Sequence, residues 1–337
     1  MQMNKPHPSR MLWIQPSWLE QAHRWIDDKL DQHGIERQGA IAQPHIRHWS
    51  TILRVPTSAG DIYFKAVISD LAYEAALTQT LSDRYPDCVP QILAADRQQG
   101  WLMMMDGGAR LRENLTRIDD IQHWETLLPT YAKLQQEAAL HVDELLELGV
   151  CDRRLAVLPA AFQELLENVE ILGLNDPSGL NLAEYQQLQN SADGVARLCE
   201  KLSAFGVLET IDHGDLHDGN IFILDGCYRF FDWGDSSISH PFFSLHRVYG
   251  NLDQRFELES HSFWFERLTA CYLETWVKYE TKERLEAAFD LAQQLSSIPA
   301  ALRWLPVLLN MDAVTRTQYV EAIPSLMREL LRDLQRK

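Results

Sequence analysis

The sequence reads as an α+β chain in two lobes: a small N-terminal lobe built on an antiparallel sheet, and a larger, mainly helical C-terminal lobe. Three observations carry that reading. Short runs rich in β-branched, aromatic and apolar residues, Thr51–Val55, Ile62–Val67 and Trp101–Met105, cluster in the first third of the chain. Helical periodicity dominates from about residue 119 onward, interrupted by one hairpin. Between the two regimes, Asp106-Gly107-Gly108 breaks the pattern and sets a seam, with residues 1–106 as the N-terminal lobe and 107–337 as the C-terminal lobe.

Each element has a local cause. From Pro16 to Gly34, the residues Trp18, Leu19, Ala22, Trp25, Ile26 and Leu30 recur at helical steps, with Gly34 as the stop, which predicts a helix over 16–34. The runs Thr51–Val55 and Ile62–Val67 flank Pro56-Thr57-Ser58-Ala59-Gly60-Asp61, a hairpin loop by composition. Residues 70–84 read as helix and Trp101–Met105 as a buried strand. Leu127, Tyr131, Leu134, Ala138, Leu145 and Leu148 mark an amphipathic stretch, with further helices expected over 159–172 and 182–204 and a loop over Asn175–Gly179. A second hairpin is expected over Ile221–Phe231, on the helical lobe, and the chain after about residue 242 is helical in pattern.

Composition narrows the function. The 337 residues carry 31 Lys and Arg against 48 Asp and Glu, a net charge of −17, with no run of five basic residues, which argues against nucleic acid as a partner. Five cysteines lie far apart, without CxxC or zinc-type spacing, and read as small core residues of a reducing compartment. The first residues, MQMNKPHPSRMLW, lack the apolar stretch of a secretory signal, and no window of 18 apolar residues predicts a membrane span. The expectation is a soluble, cytoplasmic protein without a membrane partner.

The densest chemistry lies in His213-Gly214-Asp215-Leu216-His217-Asp218-Gly219-Asn220, followed by the hairpin and by Asp232-Trp233-Gly234-Asp235. Asp225-Gly226 is a strong two-residue hairpin signal, so Leu224 should pair with Cys227 and bring Asn220 level with Phe231, one residue from Asp232. An amide oxygen and a carboxylate on neighbouring strands, about 4.8 Å apart, suit one Mg²⁺ ion. Asp215, in a Gly-flanked loop just before, is a candidate to orient a hydroxyl and accept its proton. Taken singly, each has a plainer role as a turn cap or strand end; three at these spacings around one hairpin point to a site.

His213-x-Asp215-x4-Asn220 followed by Asp232 resembles the catalytic loop and metal-binding strand of the protein-kinase-like fold. In the form H-G-D-L-H-x-G-N with F-D-W-G-D, it resembles the aminoglycoside phosphotransferase family, whose relatives include choline kinases and other small-molecule kinases. The resemblance runs from about residue 36 to 320, with its sharp motifs at 65–74 and 213–235. It implies a two-lobed kinase-like fold with ATP and Mg²⁺ as cofactors. By that resemblance Asp215 is the catalytic residue, Asn220 and Asp232 hold magnesium against the nucleotide phosphates, and His213 supports the loop. A zinc site from His213 and His217 is discounted for want of a third ligand.

Such a kinase needs a strand lysine paired with a helix glutamate. Lys65 lies in an apolar strand, and nine residues on Glu74 shares a helical stripe with Leu71, Leu77, Thr78 and Leu81. A carboxylate there is costly to bury unless paired, and Lys65 is the natural partner. The resemblance further implies Met103 and Met105 at the nucleotide, in a lobe linker whose backbone meets adenine, although a Met run also simply fills a core. It likewise implies Ser50 and Thr51 in the phosphate cover. Two departures stand out. The segment Gln43–Thr51 has no G-x-G-x-x-G, and Ser244 occupies a position where the family commonly has Asp, where it is expected to cap the following helix.

The implied activity is transfer of the ATP γ-phosphate to a small-molecule hydroxyl, such as an aminoglycoside, choline or another amino alcohol or sugar. Acidic groups at Asp143, Glu144, Glu147 and at Glu164, Glu167, Glu170 would suit a cationic acceptor, although solvated helix faces better explain most of them, because their spacing suits exposure. Two other classes compete. Asp215-Leu216-His217 matches the opening of a metallophosphoesterase, but the required downstream G-D-x-x-D and G-N-H are missing. A non-catalytic ATP-binding module on a kinase-like scaffold would be expected to have lost one of Lys65, Glu74, Asp215, Asn220 or Asp232, all of which keep their residue types.

Overall fold

An aromatic cluster organises the N-terminal part. In the computed structural model, which describes residues 12–174, 176–258 and 262–335, helix α1 (Pro16–Gln32) buries Trp18, Ala22, Ile26 and Leu30. Trp18 and Trp25 stack edge-on against Phe64 and Trp101, with ring centroids 5.6–6.3 Å apart, and Phe64 meets Trp101 at 5.4 Å. Pro16 starts the helix at its first turn, and Gly34, at φ +65°, turns the chain away after its end. The start of the chain, on which the expectation of no secretory signal rests, and Asn175 of the expected loop lie outside the described residues.

Phe64 and Trp101 belong to a five-stranded antiparallel sheet. Its strands are β1 (Ala42–Ile46), β2 (Ser50–Thr57), β3 (Gly60–Val67), β4 (Ile92–Asp96) and β5 (Trp101–Met105), in the order β1-β2-β3-β5-β4. In β3, Ile62, Phe64 and Ala66 are fully buried on one face, so Lys65 falls on the other, paired across to Ile52 and Leu102. Helix α2 (Tyr73–Arg84) follows and buries Glu74 together with Leu77, Thr78 and Leu81, as the stripe predicts. The β2–β3 loop is tighter than expected. Thr57 donates to the Gly60 carbonyl at 2.6 Å and accepts from Ala59 N at 3.1 Å, which extends both strands and leaves only Ser58 and Ala59 between them. The two outer strands, β1 and β4, are not foreseen by sequence, because Pro44 breaks one and the other lacks alternating burial.

The hairpin forms as expected, with strands Ile221–Leu224 and Cys227–Phe230 around a turn in which Asp225 and Gly226 both have positive φ, 52° and 77°. Its place differs from the expectation. From Phe222 to Gly234 it belongs to the same compact unit as residues 1–109, as does the short segment 310–315. The cause is direct bonding. Phe230 N donates to the Cys88 carbonyl at 2.7 Å, Arg229 reaches the Pro86 and Val89 carbonyls, and Asn310 donates to Asp70 at 2.7 Å.

The second unit comprises residues 110–221, 235–309 and 316–337. Its principal helices are Gln122–Ala138, Leu158–Glu167, Leu182–Ser203, Ser244–Phe256, Phe263–Glu274, Lys282–Leu295, Ser297–Leu309 and Ala322–Asp333. The helix expected over 159–172 stops at Glu167, where Asn168 leaves helical geometry at ψ 63°. The next begins with a capping box in which Asn181 and Glu184 satisfy each other's backbone donors. A small sheet pairs Ser237–Ser239 antiparallel to Thr210–Asp212 and parallel to Cys151–Asp152. Among the described residues no helix is long and apolar enough to cross a membrane.

His240, just after this sheet, is sealed among Phe242 and Phe243, and its Nδ1 accepts the Phe242 N–H at 3.3 Å. Burial pushes its pKa down to about 3, from an ordinary 6.5. The unfolded chain takes up a proton below about pH 6.5 that the folded chain refuses, so this stabilisation is complete above that pH and is lost as pH falls toward 3. Denaturant titrations should show His240→Asn removing a slope of about 1.4 kcal/mol per pH unit between pH 6 and 5. An unchanged slope in the variant would show that His240 is not the acid-sensitive group.

Candidate active site

In the first unit, Lys65 is the centre of a buried ion cluster. Its Nζ lies 2.5 Å from Glu74 Oε1 and 2.5 Å from Asp232 Oδ1. Burial on its own would lower the Lys65 pKa, but the charges of Asp232 and Glu74 outweigh it and the pKa is raised, so the ammonium stays charged. Glu74 is 3% exposed, whereas the Asp232 side chain remains 52% exposed. Asp232 sits in left-handed backbone at φ +65°, an uncommon conformation for any residue but glycine. The turn that follows is fixed by Tyr73, whose hydroxyl donates to the Gly234 carbonyl at 2.6 Å. Gly234 is required for closeness: a Cβ there would lie 2.8 Å from Glu74 Oε2.

In the second unit, the loop from His213 to Asn220 is built around Asp215. Gly214, at φ +75°, allows the turn, and a Cβ on it would collide with the Asp235 carbonyl at 2.2 Å. Arg247 Nε lies 2.7 Å from Asp215 Oδ1, and Arg303 Nη1 lies 3.2 Å from the same oxygen. Oδ2 has His217 Nε2 at 3.2 Å and the Asn220 amide nitrogen at 3.2 Å. Burial alone would raise the Asp215 pKa, but the His217 hydrogen bond and the charges of Arg303 and Arg247 hold it well below the usual carboxylate range. His217 Nδ1 accepts the Gly219 N–H at 2.9 Å, which leaves its proton on Nε2, toward Asp215. Asp218, fully buried, ties the loop down through ion pairs to Arg112 at 3.1 Å and Arg255 at 2.7 Å.

No family model and no curated protein matches the chain. Solved structures do. An ethanolamine kinase from Plasmodium vivax superposes with a TM-score of 0.65 at 12% identity, covering 95% of this chain and 91% of its own. A macrolide 2'-phosphotransferase from Brachybacterium faecium gives 0.58 at 14%, covering 88% and 96%. A choline kinase from Cryptosporidium parvum gives 0.57 at 11%, covering 87% and 88%. The chain has the kinase-like fold of small-molecule phosphotransferases.

Within this kinase-like fold, the residues singled out from sequence fall into two groups. Lys65, Glu74 and Asp232 are brought together in one unit, while Asp215 and Asn220 are in contact in the other. Asn220 donates through Nδ2 to both the backbone and the carboxylate of Asp215, and its Oδ1 has no hydrogen-bond partner among the described residues. The half-exposed Asp232 carboxylate in the first unit and the Asn220 amide oxygen in the second are each hard oxygen donors of the kind that suits Mg²⁺. His213 is fully buried; its backbone N–H donates to Tyr131 Oη at 2.9 Å and its Nδ1 accepts the Asp215 N–H at 3.4 Å.

The remaining candidates serve the sheet. Thr51 Oγ1 donates to the His45 carbonyl and accepts from Gln43, both at 2.9 Å, and Ser50 is buried at the start of β2. Met103 is wholly in the core, and Met105 N donates to the Gln91 carbonyl. Ser244 does not cap its helix. Its hydroxyl donates to Asp212 Oδ1 at 2.7 Å and meets Tyr131 Oη at 3.1 Å, and Gly214 N also donates to that Asp212 oxygen. Arg247, Arg303 and Asp212 were missed by sequence reading, because nothing in a helical Arg or a strand-end Asp announces a partner dozens of residues away.

Two outcomes follow for the ion cluster. Lys65→Met strands Glu74 in the interior and should cost about 3–5 kcal/mol in denaturant unfolding. Gly234→Ala should cost about 1–3 kcal/mol by crowding the Glu74 carboxylate. In a Glu74→Ala background the Gly234→Ala penalty should disappear, because the colliding atoms are gone. Strict additivity of the two changes would sink that explanation.

Proposed function

We propose that the chain is an ATP- and Mg²⁺-dependent phosphotransferase acting on the hydroxyl of a small molecule. The observation that carries this reading is the buried Lys65 ammonium shared between Glu74 and Asp232, at 2.5 Å from each. A charge kept in the interior at that cost, with one of its carboxylates half exposed, suits the anchoring of a polyanion such as a nucleotide's phosphates. The names of the superposable proteins, kinases and phosphotransferases of ethanolamine, choline and macrolides, support the same reaction class.

In this reading Asp215 accepts the proton of the acceptor hydroxyl as that oxygen forms a bond to the γ-phosphorus. The bond from γ-phosphorus to the bridging oxygen breaks, and its electron pair leaves with ADP. Lys65 offsets charge on the phosphates, and Glu74 orients Lys65. Asn220 keeps the Asp215 carboxylate in place through its amide nitrogen. Magnesium, held by Asn220 and Asp232, would neutralise phosphate charge. The cations and donors around Asp215 keep its carboxylate ionised throughout the neutral range, which suits it to orient a hydroxyl, and the same contacts weaken it as a base until one of them is withdrawn.

Calorimetry with Mg-ATP, together with acceptor-dependent ADP release, tests the assignment. Asp215→Asn should lower turnover on the order of 10²–10⁴-fold while Mg-ATP still binds. Asp232→Ala should instead weaken magnesium-dependent nucleotide binding. Wild-type turnover in Asp215→Asn, or unchanged Mg-ATP affinity in Asp232→Ala, would contradict these roles.

A further inference from the structure

A carboxylate has about four lone-pair positions on its two oxygens, and Asp215 has four donors on them: Arg247, Arg303, His217 and Asn220. An acceptor hydroxyl that is to give its proton to Asp215 must first displace one of these donors. Three of the four are held from elsewhere. Arg303 is largely buried, also donates to the Gly214 carbonyl, and feels the charges of Asp235 and Asp212. His217 is fixed through Nδ1 by Gly219, and Asn220 is fixed by the Asp215 backbone carbonyl at 3.0 Å.

Arg247 is different. Its side chain is 33% exposed, and its single bond among the described residues runs from Nε to Asp215. Both terminal nitrogens of its guanidinium are therefore without a hydrogen-bonding partner among those residues. Arg247 also borders a small hollow with Gly214, Phe243, Ser244, His246 and Pro299. The carboxylate bordering that hollow, Asp212, is already engaged by Ser244 and Gly214. His246, beside it, is engaged by Glu329 at 3.1 Å. A guanidinium leaving Asp215 from such a place needs another anion, because a half-buried cation without a counter-charge is costly.

Resting on the phosphotransferase reading, we infer that the acceptor carries an anionic group, a carboxylate or a phosphate monoester, which takes the Arg247 guanidinium from Asp215 and so frees a lone pair for the acceptor's hydroxyl. One salt bridge is exchanged for another, and the two free terminal nitrogens of Arg247 suit bidentate capture of a planar or tetrahedral oxyanion. Acceptors without the anion leave Arg247 on Asp215 and the base blocked. Arg247 is thus a specificity-determining residue as well as a positioning one.

Matched acceptors that differ in charge on a common skeleton test this by ADP release: gluconate, glucose and glucosamine; glycerate, glycerol and 2-amino-1,3-propanediol; and glycerol phosphate to separate phosphate from carboxylate. Within a set the anionic member should have the highest kcat/KM. Arg247→Met should lower the ratio of anionic to neutral kcat/KM by roughly 10–100-fold, mainly through KM, and Arg247→Lys should recover part of it. If Arg247 merely braces Asp215, its loss will depress all acceptors equally and leave the ratio unchanged, which overturns the inference. Preference for the amine or neutral member overturns it as well, as does failure of every anionic acceptor in a chain that binds Mg-ATP. A chain that binds no Mg-ATP fails the phosphotransferase reading instead, and this inference falls with it.

Discussion

The first unit is arranged around the cost of keeping one ammonium group in its interior. Lys65 is 8% exposed and would be expelled or neutralised without compensation. Two carboxylates supply it, one from α2 and one from the turn after the hairpin, so a single charge ties strand, helix and hairpin together. On the opposite face of the same strand Phe64 packs into the Trp18, Trp25 and Trp101 cluster, which fixes the strand from behind. The strand cannot slip by one residue without exchanging aromatic core for charge, so its register is strongly specified.

The second unit solves a related problem in reverse. Here the central charge is a carboxylate, Asp215, and cations from two helices and a loop histidine surround it. Asp218 repeats the pattern three residues later in the same loop, with Arg112 and Arg255. A loop containing two buried or part-buried acids is thereby pinned from several helices without any regular hydrogen-bonded ladder. Its backbone is free to adopt the turn at Gly214 because the side chains, rather than a strand partner, determine where it goes.

Much of this was readable before any coordinates. The Asp225-Gly226 turn fixed the hairpin because both residues tolerate positive φ, and the Lys65–Glu74 pair followed from the rule that a carboxylate on an apolar stripe needs a partner. The kinase-like fold was also visible, through the resemblance of the His213–Asn220 and Asp232 motifs to that fold's catalytic loop and metal-binding strand. What the residues could not reveal depends on separation along the chain. Arg247 and Arg303 lie 32 and 88 positions beyond Asp215, on helices whose periodicity says only which face is apolar. The outer strands β1 and β4 have weak patterns because edge strands are partly solvated, and the hairpin's attachment to the first unit rests on backbone bonds to Cys88 and its neighbours that no composition encodes.

The Ser244–Asp212 contact sets where negative charge lies beside the loop. At the first position of this helix the chain has a hydroxyl, and an acid lies across from it at the end of a strand, 32 residues earlier, holding Gly214. The negative charge beside the loop therefore sits on the strand end and not on the helix. An acid placed at 244 would set two carboxylates against each other, and removing Asp212 would take away the acceptor of both the Ser244 hydroxyl and the Gly214 N–H.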